Sequence, residues 1–178
     1  MQSVQSIVRT GATRPRILGR ITNLDTKLIR IYDNVLEFKA KANDSFGAYG
    51  YKGKIPYSRQ WGGKLWVQQI ELPIKDNTDR TIPVKEMKKI IKVPGLKVYC
   101  SCPSFKYEYR HMCLKNKCLR LQSEMYDPEK ITKAPVIRNF MEEGMICKHL
   151  LFLLGYINKR PDRIARAISY YRQAISSV

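Results

Sequence analysis

Two short words, Cys100-Ser101-Cys102 and Cys147-Lys148-His149, constrain the fold of this 178-residue chain more than any other feature. Each places two metal donors one residue apart, and together they supply a Cys3His set of the kind that closes a zinc coordination sphere. A closed sphere staples a fold and leaves no position for a substrate. The fold must then bring together two segments separated by the 44 residues 103–146. Residues i and i+2 of an extended strand share a side, and Leu96-Lys97-Val98-Tyr99-Cys100-Ser101-Cys102 alternates like a strand until Pro103 stops it. Cys147 and His149 open the apolar run Leu150 to Leu154, read as a buried helix whose start favours thiolate character. Five cysteines, an odd number clustered between 100 and 147, suit metal ligation in a reducing compartment better than a disulfide framework. Cys113, Cys118 and His111 have loose spacing and no fourth partner, so they are read as reduced thiols and a histidine in a basic insertion.

The rest of the chain divides into three parts. Residues 1–22 carry Arg9, Arg14, Arg16 and Arg20, no acid, and the breakers Gly11, Pro15 and Gly19; they read as a basic arm rather than a packed element. Residues 23–95 read as a small β-rich domain with one helix. Its hairpin runs through Leu28 to Tyr32, a turn at Asp33-Asn34, and the alternation of Leu36, Phe38, Ala40 and Ala42. A long loop follows from Asn43 to Gly63, then a strand from Trp66 to Leu72 and a helix from Pro83 to Lys92. On that helix Val84, Met87, Ile90 and Ile91 share one face, with lysines opposite. Residues 96–178 form the third part: the zinc-binding unit, a polar and basic insertion from Ser104 to Glu143, and a last helix from about Asp162 to Ser176 with Asp162 as N-cap. The predicted class is α+β, a small antiparallel sheet with a zinc-stapled strand–insertion–helix unit and a C-terminal amphipathic helix.

Tyr99-Cys100-Ser101-Cys102-Pro103-Ser104-Phe105 with Met145-Ile146-Cys147-Lys148-His149-Leu150-Leu151 resembles the SWIM-type zinc finger, patterned C-x-C…C-x-H. The resemblance covers roughly residues 96–157. It implies a short hairpin and helix around one structural zinc ion held by Cys100, Cys102, Cys147 and His149, and a role in binding DNA or protein. The spacer is longer than the family's usual one. A long spacer between such ends is similar to what is expected in virion structural proteins of tailed bacteriophages.

Lys+Arg 33 against Asp+Glu 15 give a net charge of +18, which points to polyanions or acidic protein surfaces as partners. Catalysis finds little support. One of the two histidines is assigned to the metal, there is no His-x-Glu with Cys-x-x-Cys as in zinc deaminases, and no glycine loop ends in Gly-Lys-Ser/Thr. The longest apolar run is far below the ~18 residues that cross a bilayer, and the start lacks a basic-then-apolar leader. The chain is therefore expected to be non-enzymatic, with no membrane and no small-molecule substrate. The expected role is a zinc-binding subunit of a large assembly, a tailed-phage virion in its neck, tail or baseplate region, assembled in the host cytoplasm. The alternative is a cytoplasmic, sequence-independent DNA- or RNA-binding module. Arg9, Arg14, Arg16, Arg20, Trp61, Arg160, Arg163, Arg166 and Arg172 are the candidate partner contacts, with Trp61 as an aromatic anchor.

Overall fold

The computed structural model of the chain describes residues 1–10, 26–41, 65–74, 81–121 and 144–176. Arg14, Arg16, Arg20 and Trp61 lie outside the described residues. Four antiparallel strands, β1 (Thr26–Tyr32), β2 (Val35–Lys41), β3 (Leu65–Glu71) and β4 (Lys97–Cys100), form one sheet in chain order. The expected hairpin is β1–β2, with Tyr32 opposite Val35 across the Asp33-Asn34 turn. Asp33 takes a φ of 50° there, which an Asp tolerates better than most residues. Asn34 Nδ2 donates to the Leu72 carbonyl at 2.8 Å, tying the turn to the end of β3.

Strand alternation sorts the sheet into two faces. Leu36, Phe38, Ile70, Val98 and Cys100 are buried in the common core, which continues into the helices. The other face carries a polar network beside the buried Val35 and Tyr99. Glu37 Oε2 accepts from Gln69 Nε2 at 2.7 Å and from Arg30 at 3.2 Å, while Gln69 Oε1 accepts from Arg120 at 2.7 Å. Such a network satisfies the buried Glu37 and Gln69, each of which would be costly to bury alone.

The first ten residues depart from the expected unpacked arm. Val4–Thr10 form helix α1, and Val4 and Ile7 are fully buried in the core. Local chemistry explains the helix. The Ser3 amide donates to Ser6 Oγ at 2.9 Å and the Ser6 amide to Ser3 Oγ at 3.0 Å, a reciprocal cap. The Gln2 carbonyl accepts from the Gly95 and Leu96 amides, and the Gln5 amide donates to the Ile91 carbonyl. These bonds stitch α1 to the entry of β4, and the arginine count hid the Val4–Ile7–Val8 spacing of an apolar stripe.

Helix α2 (Val84–Ile90) matches the predicted lysine-rich helix and buries Met87 and Ile90. The insertion contains structure that its polarity concealed. A π-helix at Phe105–Tyr109 leads directly into α3 (Arg110–Lys115), burying Phe105, Tyr109 and Cys113 at spacings of four. Helix α3 ends in a Schellman motif: Lys117 adopts φ 55°, its amide bonds the Leu114 carbonyl, and the Cys118 amide bonds the Cys113 carbonyl at 2.8 Å. The chain then returns to β4, where the Val98 amide donates to the Cys118 carbonyl. Helices α4 (Lys148–Lys159) and α5 (Pro161–Ser176) complete the fold, α4 against α1 and β4, and α5 against α2. Asp162 sits inside the first turn of α5 rather than at its cap, because the helix begins at Pro161.

The docking of α1 is directly testable. Replacing Ile7 by Ala should cost about 3 kcal/mol in denaturant unfolding, the usual range for a fully buried aliphatic side chain. A change below ~0.5 kcal/mol would place α1 outside the core.

Candidate metal centre

Strand pleat and helix start build this site as their periodicities require. Ser101 points away from its two cysteine neighbours and clips the strand end to β3: its amide donates to the Val67 carbonyl, and its hydroxyl accepts from the Val67 amide, both at 2.9 Å. Cys100 and Cys102 are thereby held on the opposite side. Cys147 occupies the N-cap of α4 with extended backbone (φ −72°, ψ 162°), and its carbonyl accepts the Leu151 amide in the first helical bond. His149 stands two residues into that helix.

The three sulfurs and an imidazole nitrogen of Cys100, Cys102, Cys147 and His149 all lie within 4.8 Å of one another, and all four residues are buried. With Zn–S bonds of ~2.3 Å, sulfurs of a tetrahedral site stand ~3.8 Å apart, so the donors need to draw in by about an ångström at most. His149 is 5% exposed, and neither Nδ1 nor Nε2 has a hydrogen-bond partner. A buried imidazole with no partner costs roughly 1–3 kcal/mol for each stranded group. Coordination of a soft divalent cation at one nitrogen accounts for that placement, and the donor set suits zinc. The four residues thus form a cluster able to hold one metal ion, compatible with a zinc finger.

The electrostatics agree. Burial pushes the Cys100 thiol well above its ordinary range, reinforced by the Cys102 and Cys147 sulfurs beside it. Burial likewise raises Cys147. Burial acts the same way on Cys102, but the neighbouring Cys100, Cys147 and His149 outweigh it and hold that thiol well below its ordinary range. The Phe105 amide donates to Cys102 Sγ at 3.3 Å, and Gln68 Nε2 lies 3.9 Å from Cys100 Sγ. Lys148 is pulled down to about 8 by burial, with Cys102 and Cys147 opposing that pull. Three thiolates around a divalent ion sum to −1, and Lys148 supplies the adjacent positive charge.

Cys113 and Cys118 stand apart from this cluster. Both are free and buried; Cys113 Sγ donates to the Met145 carbonyl at 3.2 Å, and Cys118 Sγ lies 3.7 Å from Met145 Sδ. They brace the approach to Cys147. Among the described residues, His111 belongs to no metal cluster. The supporting groups were not foreseen. Phe105, Tyr109 and Cys113 at i, i+4 and i+8 were the available signal for the helical turn after Cys102, and Gln68 was signalled only as a polar residue on a core-facing strand position.

The candidate partner contacts divide. Arg9, Arg160 and Arg163 are exposed, and Arg166 is exposed while holding Asp162 at 2.9 Å. Arg172 is only 9% exposed and engaged within the protein, so it departs from the expectation of a free contact. Tyr109 is buried in the core, whereas Tyr107 and Tyr170 are exposed. Among the described residues, no helix is long and apolar enough to cross a membrane. Comparison with profiles of known families, with curated proteins and with solved structures finds no match.

Two outcomes follow for the donors. Cys147→Ser should lower bound zinc and the melting temperature together, whereas Cys113→Ser should retain one zinc per chain. Full zinc retention by Cys147→Ser, measured by elemental analysis, would remove it from the ligand set. Because Cys100 and Cys147 keep their protons at neutral pH, the metal must displace two protons to bind. Acidification therefore opposes binding, and apparent zinc affinity in chelator competition should fall about a hundredfold per pH unit. Affinity independent of pH between 6 and 8 would contradict ligation by the raised Cys100 and Cys147 thiols.

Proposed function

We propose that this chain is a non-enzymatic, zinc-stapled subunit of a larger assembly, docking onto polyanionic or acidic neighbours through its basic surface. The observation that carries the reading is the buried, four-donor cluster. Three thiols and one imidazole satisfy a tetrahedral ion completely, leaving no position for a substrate. Zinc in such a site contributes to folding, and function passes to the surface. On this reading the site is a SWIM-type finger with a long spacer. Its setting is a tailed-phage virion, in the neck, tail or baseplate region, assembled in the host cytoplasm.

Exposed Arg9, Arg160 and Arg163 support docking, since arginine is favoured where proteins meet. A second reading, a sequence-independent DNA- or RNA-binding module, is supported by a separate feature. Lys88, Lys92 and Lys159 converge on one surface cleft. The two readings meet where an assembly encloses nucleic acid.

Cobalt substitution tests the closed site. The Co(II) protein should show a tetrahedral thiolate spectrum that azide leaves unchanged; a shift on azide addition would reveal an open position and reinstate catalysis. Co-sedimentation of the zinc-loaded protein with poly-L-glutamate or short duplex DNA at low salt tests docking. Failure to sediment with either polyanion would contradict it.

A further inference from the structure

A surface cleft of about 580 Å³ lies between α1, α2 and the elbow joining α4 to α5. Its polar lining is almost wholly cationic or amide: Lys88 and Lys92 from the end of α2, Lys159 from the end of α4, with Gln5 and Asn158 between them. All three lysines are exposed, and among the described residues none of them forms an ion pair. The one acid in the lining, Asp162, is bound by Arg166 at 2.9 Å; desolvation acts to raise its carboxyl, but that guanidinium and the first amides of α5 together outweigh it and hold the carboxyl below the ordinary range. Val84 supplies exposed apolar surface between the charges, with the buried Ile91 and Pro161 forming the floor beside it.

We propose that this cleft binds the phosphodiester backbone of a nucleic acid, with the Lys88, Lys92 and Lys159 ammoniums on its phosphates and the apolar patch against sugar. The proposal rests on the nucleic-acid branch of the functional reading. The cations present favour a phosphodiester chain over an acidic protein face. Lysine ammoniums are point charges that pair with phosphate without a fixed geometry, and protein interfaces are depleted in lysine. The cations that line the cleft are all lysines. The three ammoniums would contact phosphate rather than base edges, so their contribution to binding is independent of sequence.

The test is fluorescence anisotropy of a labelled generic duplex with the full-length, zinc-loaded protein across a salt series. The triple variant Lys88→Gln, Lys92→Gln, Lys159→Gln should bind at least tenfold more weakly at low salt, and its log–log salt slope should shrink by about three. A charge-matched control, Lys39→Gln, Lys85→Gln, Lys89→Gln, also alters exposed residues and should change the slope by less than about one. These substitutions lie on the surface, so zinc content and far-UV circular dichroism should match wild type in both variants. Equal losses in the two triples would overturn the cleft while sparing the nucleic-acid reading. Absence of duplex binding by wild type at low salt would overturn both. Poly-L-glutamate binding more tightly than DNA, with the same dependence on the three lysines, would assign the cleft to an acidic protein and overturn the phosphate proposal.

Discussion

Three buried thiols and a buried imidazole lie within 4.8 Å of one another, a grouping that could hold one metal ion. The sulfurs compete for protons, as the opposed behaviour of Cys100 and Cys102 shows, and His149 has surrendered both of its hydrogen-bonding opportunities. In an apolar core such a grouping costs several kilocalories per mole unless a metal ion turns the competition into coordination. A metal ion bound there would hold the strand end and the helix start at one point, and the remaining architecture brings them together.

The surrounding structure places the site from several directions. Ser101 fixes the strand end to β3, the π-helix turns the chain immediately after Cys102, and the Schellman motif returns Cys118 to β4 beside Met145. Helix α1, capped by Ser3 and Ser6, bonds to the Gly95–Leu96 entry of β4 and packs on α4, so it backs both halves of the metal site at once. Gly95 takes a φ of 119°, and a Cβ there would stand 3.1 Å from Pro73, which makes this entry demanding of glycine. Few of these groups touch the donors, yet each limits where a donor can go.

Much of this was legible in residue order because the signals were local. The β1–β2 hairpin, the third strand, the lysine-rich helix and both C-terminal helices follow from alternation or a 3.6-residue period, and the four donors from one-residue gaps at a strand end and a helix start. What was hidden depended on partners remote in sequence. Residues 4–10 read as a charged arm because Val4 and Ile7 gain their meaning only from the core against which they pack. The 105–115 segment read as polar because Lys106, Glu108, Arg110, His111 and Lys115 outnumber its buried side chains, while Phe105, Tyr109 and Cys113 kept a helical spacing beneath them. Arg172 read as a free contact, although the face of α5 that carries it also carries Ile164, Ala165 and Ile168 into the core. The lysine cleft was beyond reach from sequence, since it exists only where α2 meets the α4–α5 elbow.

The central claim is that this cluster is a closed Cys3His zinc site, and X-ray absorption at the zinc edge on the full-length protein tests it most directly. The account predicts one zinc per chain with three sulfur neighbours at ~2.3 Å and one nitrogen at ~2.0–2.1 Å. A protein purified and reconstituted without retained zinc, a shell dominated by oxygen and nitrogen, or a shell of four sulfurs that recruits Cys113 or Cys118 in place of His149 would contradict it.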